Sequence, residues 1–259
     1  MKIVVCVKHV PDVQSERRLE DGRLVRGEDD VLNELDENAV EAAVSLVEEH
    51  GGEVIALTMG PEGAEDALRR ALQMGADSAV LVSDEALAGS DVVATARTLA
   101  AAIRRVGGAG EGTGDVDLVV TGMASLDALT SLLPGALAAE LRVPALTLAT
   151  GLEVHDSDLV VTRTVGAVRE VLSAPLPALV SVTDQANEPR YPNFAAMRAA
   201  RRKPLETWDL AALGLEAPSP AVSVLCDRQR PARGAGTIRT DAGQAGRELA
   251  AWLVENQLV

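Results

Sequence analysis

A chain of 259 residues, 47% hydrophobic and 24% charged, can bury one large core or form one domain with an appendage. Its net charge of −15 and pI near 4.6 exclude nucleic acid as the main partner, because phosphate binding needs a broad basic face. No segment approaches the roughly 20 apolar residues of a membrane helix, and Met1 leads into a strand pattern rather than a signal peptide. The sequence therefore predicts a cytoplasmic globular protein without membrane insertion.

Short β-branched runs alternate with helical patterns through the first 150 residues. Continuous apolar runs, typical of strands buried on both faces, occupy residues 3–7, 54–58, 79–82 and 118–121. Helical spacing of apolar residues occupies 34–49, 62–74 and 91–106, with N-caps predicted at Asn33 and Ser90 and helix ends at Gly51, Gly75 and Gly107. This alternation predicts right-handed crossovers and a parallel sheet covered on both faces.

The pattern changes after the run at residues 145–148. Residues 152–155, 158–164 and 169–173 alternate around turn-prone residues and predict a late antiparallel hairpin, and 178–182 returns to a buried strand. The glycine-rich stretch 107–114 contains G-x-G spacings, but it follows a helix and precedes a strand. A dinucleotide fingerprint needs the reverse order, so we interpret this stretch as a connector.

Beyond Gly214 the sequence loses the rhythm of a packed core. Pro218, Pro220 and Pro231 and the region 228–239 predict an extended arm, in which residues 221–226 are a candidate strand and 244–258 an amphipathic helix. An arm that cannot bury its own apolar side needs a second chain or the domain edge, and we favour a partner subunit. The sequence thus predicts a three-layer α/β domain over 1–213 and an arm over 214–259.

Loops after the predicted parallel strands form the candidate ligand site. In an open parallel sheet, ligands bind outside the carboxyl ends of the strands. The loop from Gly122 runs into a helix predicted around residues 130–141, and its glycine, its Ser125 and Thr130 hydroxyls and the free helix-start amides suit a phosphate. Asn33 could bind a base or a ribose. The alternative is that these loops are ordinary turns with ordinary caps.

No catalytic arrangement of residues is recognisable beside this predicted ligand crevice at the strand ends. Ser125 has no histidine near it in sequence, and Asp127 is either an acid–base group or, the interpretation we favour, a residue that fixes its loop. Cys6 lies in an apolar run and is interpreted as a small buried hydrophobe. Two cysteines and three scattered histidines give no metal-ligand spacing. We therefore predict no catalytic residue and no metal.

A second candidate site follows the last core strand. Residues 187–194 contain the only tyrosine and the only phenylalanine, Tyr191 and Phe194. Pro189 and Pro192 bracket the turn that carries Tyr191, and a basic run follows Phe194. The cations of that run are Arg198, Arg201, Arg202 and Lys203. Exposed rings beside cations on an acidic protein predict a docking element for a charged partner. A solvated loop followed by an ordinary amphipathic helix remains the alternative.

These features together resemble the β subunit of electron transfer flavoproteins, also called the FixA family. The resemblance covers essentially the whole chain and rests on five segments in order: Lys2-Ile3-Val4-Val5-Cys6-Val7-Lys8-His9-Val10-Pro11-Asp12, the segment 33–43, Thr58-Met59-Gly60-Pro61, Ala71-Leu72-Gln73-Met74-Gly75-Ala76-Asp77 and Asn187-Glu188-Pro189-Arg190-Tyr191. Each segment is moderately specific, and their order makes the match strong.

The resemblance implies a non-enzymatic electron carrier with an adenine-nucleotide-binding topology. This chain would hold a structural AMP, while an α subunit holds the redox FAD. The residues implied for AMP are Cys6, Asn33, Asp36, Met59 and the loop 122–131, with Gly122, Met123, Ala124, Ser125, Asp127, Thr130 and Ser131. The segment 187–203 matches the recognition loop that anchors acyl-CoA and related flavin dehydrogenases, with Phe194 at the apolar anchor and Tyr191 and the four cations around it.

One departure from the family pattern falls on the phosphate loop. Ala128, Leu129, Leu132 and Leu133 stand where the family has small, acidic or amide residues, which leaves Thr130 and Ser131 as polar groups. Weak AMP binding through backbone amides and an AMP-free crevice both stay open, as does a second FAD in its place. From another functional class, a stand-alone adenine-nucleotide-binding module or ATP-using enzyme of similar fold is the alternative.

Overall fold

The computed structural model describes residues 1–15, 17–222, 224–228, 231, 234–236, 238, 240–241 and 243–259. These residues form two compact units, Met1–Leu225 and Cys226–Val259. No helix in the described part of the chain is long and apolar enough to cross a membrane. The predicted division into a domain of residues 1–213 and a partner-binding arm of residues 214–259 stays a prediction.

Strands and helices alternate along the chain as the sequence predicts. The strands are β1 (Lys2–Cys6), β2 (His9–Pro11), β3 (Leu19–Glu20), β4 (Arg23–Leu24), β5 (Asp30–Leu32), β6 (Glu53–Met59), β7 (Ser78–Val82), β8 (Leu118–Gly122), β9 (Ala145–Ala149), β10 (Gly151–His155), β11 (Asp158–Val165), β12 (Val168–Pro175), β13 (Ala178–Val182) and β14 (Leu205–Trp208). The helices are α1 (Glu34–His50), α2 (Glu65–Met74), α3 (Val92–Val106), α4 (Leu133–Leu141), α5 (Phe194–Ala200) and α6 (Ala245–Glu255).

A seven-stranded parallel sheet organises the first unit, in the order β14-β7-β6-β1-β8-β13-β9. The central strand β1 pairs with β6 on one side and β8 on the other, with Cys6 opposite Leu57 and Thr121. The chain therefore reverses its direction of winding at β1, which is the topological switch point where open α/β sheets bind ligands. The predicted three-layer α/β fold is confirmed.

Two apolar layers cover the sheet, as its fully buried strands require. On one face Ile3, Val5 and Val7 pack with the buried sides of α1 and α2. On the other face Val4 and Cys6 pack with α3 and α4. Alternate residues of β1 thus serve opposite layers, which holds its carboxyl end rigidly between the helices.

The predicted late hairpin is confirmed as a three-stranded antiparallel sheet in the order β10-β11-β12. Val154, Leu159 and Val161 join the layer that contains α1, so this sheet packs on the same side of the domain as α1 and α2. In the second unit, α6 has no buried residue, and Leu249 and Trp252 are exposed.

Three predicted element boundaries need correction. Helix α3 is capped by Asp91, whose carboxylate accepts from the Ala94 amide at 2.9 Å, and not by Ser90. Helix α4 begins at Leu133 rather than near residue 130, because Leu129 and Ser131 adopt left-handed backbone conformations with φ of 52°. The candidate strand at 221–226 is absent among its described residues; Ser223 lies outside them.

Candidate functional site

The carboxyl ends of β1, β6 and β8 meet the start of α1 at the sheet edge where the sequence predicts a ligand crevice. They bring Cys6, Met59 and Gly122 to one edge of the sheet, and Asn33 and Asp36 lie on the first turn of α1 beside them. Gly122 packs so closely on that turn that a Cβ atom would lie 2.3 Å from Oδ1 of Asp36. A glycine is therefore required where β8 passes α1.

Asn33 fastens the loop after β8 to the start of α1. Its side chain is fully buried, donates from Nδ2 to the Ala124 carbonyl at 3.0 Å and accepts the Leu126 amide on Oδ1 at 3.0 Å. Although Asn33 occupies the N-cap position of α1, its side chain does not cap the helix. The predicted capping function is wrong, and the side chain shapes the crevice loop instead.

Asp36 is a buried carboxyl at the floor of the crevice. It accepts the Lys8 amide on Oδ2 at 2.8 Å and also receives hydrogen bonds from Asn33 and the Gly122 amide. Burial raises the pKa of Asp36 to about 7, against the opposing effect of these hydrogen bonds. Burial, followed by the nearby Asp36, raises the pKa of the Cys6 thiol to about 12, so Cys6 is the inert buried group that its sequence context predicts.

Asp127 forms an internal ion-pair cluster. Its side chain is only 2% exposed, and its carboxylate binds Nζ of Lys8 at 2.9 Å and Nη2 of Arg26 at 2.6 Å. Burial opposes ionisation, but Lys8 and Arg26 outweigh it and hold the pKa of Asp127 below its usual value. Asp127 thus fixes its loop, as favoured from the sequence, and both crevice cations are engaged by it.

No individual role was predicted from the sequence for Lys8 or for Arg26. Lys8 is the second residue after β1, and this position at a strand end is a usable signal. Arg26 comes from the segment after the β3–β4 hairpin and is 101 residues from its partner Asp127. Arg26 also donates to the His9 carbonyl at 2.8 Å and lines a larger open pocket of about 600 Å³ along that hairpin.

The rest of the predicted phosphate loop is open to solvent. Met123, Ala124 and Ser125 are half-buried and Thr130 and Ser131 are exposed, while Leu129 and Leu132 present apolar side chains beside them. Helix α4 has no side-chain cap and carries Pro134 in its first turn, which removes one backbone donor. The loop therefore offers its hydroxyls and its remaining backbone amides to an anion.

The second candidate site, the docking segment 187–203, is held on α1 and α2. Asn187 and Asn38 exchange hydrogen bonds between side chain and carbonyl at 2.9 Å in each direction. Arg190 binds the carboxylates of Glu41 and Glu48 on α1. At the far end, Nζ of Lys203 donates to the carbonyls of Leu72 and Ala76 at 3.1 and 2.6 Å. Both ends of the segment are thus fixed to the domain.

Between these anchors the segment displays its rings. Tyr191 is 92% exposed and Phe194 79% exposed, and the Arg70 guanidinium lies 5.8 Å from the Tyr191 ring centroid. Asn193 caps α5 by accepting the Ala196 amide at 2.9 Å. Large exposed rings on a fixed support indicate a binding surface.

The basic run divides into two groups. Arg198, Arg201 and Arg202 have no ion pair among the residues that the structure describes. Lys203 is engaged with α2, and burial lowers its pKa. The three arginines can therefore meet a partner, whereas the position of Lys203 is that of an anchor.

Comparisons with known proteins agree on one family. The sequence model of the electron transfer flavoprotein domain matches residues 21–213. The chain is 37% identical to the electron transfer flavoprotein subunit beta of Mycobacterium leprae, with 99% of each chain covered. It is 35% identical to the caffeyl-CoA reductase-Etf complex subunit CarD of Acetobacterium woodii, covering 98% of this chain and 97% of that protein.

A further relative, protein FixA of Azorhizobium caulinodans, is 40% identical over 83% of this chain and 78% of its own. These matches do not favour the alternative of a stand-alone nucleotide-binding module or ATP-using enzyme. Together with the parallel sheet and its switch-point crevice, they show that the chain belongs to the electron transfer flavoprotein family, among its β subunits and FixA proteins.

Proposed function

We propose that this chain is the β subunit of a heterodimeric electron carrier that takes electrons from acyl-CoA or related flavin dehydrogenases and passes them to a downstream oxidoreductase. The observation that carries the proposal is the pair of exposed rings, Tyr191 and Phe194, displayed on a segment fixed at both ends. Relatives named as electron transfer subunits support a carrier rather than an enzyme.

Donor recognition is assigned to the docking segment. Phe194 would enter an apolar pocket of the dehydrogenase, with Tyr191 beside it and Arg198, Arg201 and Arg202 orienting the encounter. Lys203 contributes by holding the segment on α2. The name of one relative, a subunit of a caffeyl-CoA reductase-Etf complex, supports a CoA-ester flavoenzyme as the class of donor.

The residues of the crevice fit an adenine nucleotide better at the base than at the phosphate. The buried hydroxyls of Thr58 and Thr121 have no hydrogen-bond partner among the described residues, and each lies one position before the strand end that forms the crevice. Met59 is half-buried at that edge. We propose AMP there, with Cys6, Asn33, Asp36, Met59 and the loop 122–131 around it.

At the phosphate end the available groups are the exposed hydroxyls of Thr130 and Ser131 and the backbone of the loop. Lys8 and Arg26 share the carboxylate of Asp127, so this cluster keeps one net positive charge, which is less than the negative charge of a phosphate monoester. We therefore expect weak retention of AMP. A second FAD in this crevice is the competing occupant.

The redox FAD is assigned to the interface with an α subunit, where its isoalloxazine ring would supply the electron-accepting chemistry. The exposed apolar side of α6, with Leu249 and Trp252, supports a role for residues 214–259 in binding that subunit. A cytoplasmic location, and a place in fatty acid β-oxidation, belong to the same proposal.

The test is to co-express the chain with its α subunit and to measure flavin reduction by an acyl-CoA dehydrogenase and its substrate. We expect a yellow heterodimer that the dehydrogenase reduces, and mass spectrometry after denaturation should identify FAD with AMP at or below one equivalent. A lone chain that purifies yellow and accepts electrons without a second subunit would overturn the proposal.

A further inference from the structure

A small pocket adjoins the docking segment between α2 and α5. Its volume is about 150 Å³, and its lining residues are Arg69, Gln73, Met197, Ala200 and Arg201. Ala200 is buried and closes the floor, whereas Arg201 is exposed and Arg69 half-exposed. The pocket thus has an apolar base and a rim that carries two guanidinium groups and one amide.

The pocket and the exposed ring of Phe194 form one continuous surface. Phe194, Met197 and Arg201 are spaced by three and seven residues, which places them on one face of α5 and its last turn. The backbone of Arg201 is still helical, with φ of −61° and ψ of −18°, so this spacing holds to the end. A partner that receives Phe194 therefore lies over the pocket as well.

The charge of the pocket selects an anionic group. Arg201 has no ion pair among the described residues. Arg69 pairs with Glu65 one turn away at 2.7 Å, with both side chains substantially exposed. Exposed helix pairs of this kind are weak, so a partner carboxylate can share or replace Glu65. Gln73 adds an amide donor at the same rim.

The pocket is too small for a typical free ligand, so we expect the anion that it accepts to be a side chain. Small-molecule and cofactor sites are typically about 300–1,000 Å³, well above this volume. A guanidinium fork binds a carboxylate through two parallel hydrogen bonds, and two such forks lie on this rim. A single aspartate or glutamate of a docked protein matches both the volume and the donors.

We propose that this pocket receives a carboxylate side chain of the electron-donor flavoenzyme, located at the edge of the surface that takes Phe194. The contact is reciprocal: the carrier inserts its ring into the donor, and the donor inserts an acidic side chain between Arg69 and Arg201. This inference rests on the proposed function of the docking segment and adds the chemistry of the matching surface.

The experiment uses the flavin-loaded heterodimer with Arg69→Gln, Arg201→Gln and the double substitution. Arg97→Gln on α3 is the matched control, because Arg97 also forms an exposed pair, with Glu140 at 3.3 Å, on the opposite face of the sheet. Electron transfer from an acyl-CoA dehydrogenase is measured against heterodimer concentration at several ionic strengths.

We expect each single substitution to raise KM for the heterodimer about 5- to 30-fold, with kcat unchanged and a flatter salt dependence. Arg201→Lys should recover part of the loss, because it keeps the charge without the fork. Arg97→Gln should leave both constants unchanged. A double substitution that costs less than the product of the singles would show that both arginines bind one group.

Three outcomes separate this inference from the proposed function. Unchanged KM and salt dependence in the pocket variants, while Phe194→Ala raises KM, would overturn the pocket and leave the docking segment intact. Loss of the second subunit on purification of the variants would assign the pocket to the subunit interface and overturn it as well. Unchanged kinetics in Phe194→Ala itself would remove the docking function.

Discussion

Arg190 binds Glu41 through both its side chain and its backbone. Nε and Nη2 donate to the two carboxylate oxygens at 2.8 and 2.9 Å, and the Arg190 amide donates to Oε2 at 2.9 Å. The same guanidinium also binds the carboxylate of Glu48, two helical turns further along α1, at 2.6 and 2.9 Å. Burial opposes ionisation of Glu41, but Arg190 outweighs it and holds the pKa of Glu41 below its usual value.

This clamp predicts that Arg190→Lys impairs docking without affecting the flavin. An ammonium cannot form the two forked contacts, so residues 187–200 should lose order. We expect KM for the dehydrogenase to rise about tenfold, equivalent to about 1.4 kcal/mol, with kcat unchanged. Hydrogen exchange of the 187–200 amides should accelerate in parallel. Arg97→Lys is the control, and normal exchange in Arg190→Lys would contradict a positioning role.

Phe194 provides the most direct test of the docking segment. Replacing it with alanine removes an exposed ring that we propose is buried in the complex, a loss of about 1–3 kcal/mol in binding. KM for the dehydrogenase should rise accordingly, while the melting temperature of the free heterodimer stays the same. Phe194→Leu should retain much of the affinity. Val93→Ala, an exposed apolar residue on α3, is the control; an equal effect there would argue against a specific anchor.

The sheet and its helix ends were predictable because their signals are local. Buried strands give continuous β-branched runs, and Gly51, Gly75 and Gly107 each occupy the residue after a helix. The residue that caps α3 could not be identified from the local sequence. Ser90 and Asp91 are both good N-cap residues, and only the three-dimensional turn shows that Ser90 donates to the Leu87 carbonyl instead.

The features that could not be predicted depend on contacts between residues far apart in the sequence. Strand β14 is four residues long and adds to the sheet edge beside β7, more than 120 residues earlier in the chain. Lys203 belongs by sequence to a basic run, yet its ammonium binds the carbonyls of Leu72 on α2 and of Ala76 just after it, 131 and 127 residues away. Residue type and spacing cannot reveal such partners, because the fold alone brings them together.

The strand ends that border the proposed nucleotide crevice were predictable from the sequence, but the hydrogen bonds between them were not. Asn33→Ala should show what that bonding contributes. The substitution leaves the Ala124 carbonyl and the Leu126 amide without their partner in a buried site, a cost of about 2–4 kcal/mol in the free energy of unfolding.

The same variant should release the loop 122–131, so AMP recovered from the purified heterodimer should fall together with its stability. Thr98→Ala is the control, since Thr98 is buried within α3 and donates to the Ala94 carbonyl at 2.9 Å. Full nucleotide retention in Asn33→Ala would mean that the loop does not shape the site.

The last prediction concerns pH and Asp36. Because burial raises the pKa of this carboxyl from 3.8 to about 7, the folded state holds a proton that the unfolded state has released between these values. The Asp36 contribution to stability is therefore greatest below about pH 4 and declines as the pH rises to about 7. Asp36→Asn cannot lose a proton, so this decline should be absent from the variant.

The measurement is urea unfolding of the heterodimer at fixed concentration from pH 4 to 8, for wild type and Asp36→Asn. The side-chain NH2 group of an asparagine would face one of the two backbone donors, Lys8 or Gly122, and cannot accept a hydrogen bond from it. This lowers the free energy of unfolding of the variant by the same amount at every pH. Apart from that constant offset, the free energy of unfolding of the variant should rise relative to wild type by about 1.4 kcal/mol for each pH unit between the unfolded-state and folded-state pKa values of Asp36. Asp77→Asn, which removes a carboxylate that accepts the Val54 amide at 2.8 Å, controls for the offset. A pH-independent difference would show that Asp36 is ionised throughout the range, with its three donors outweighing burial.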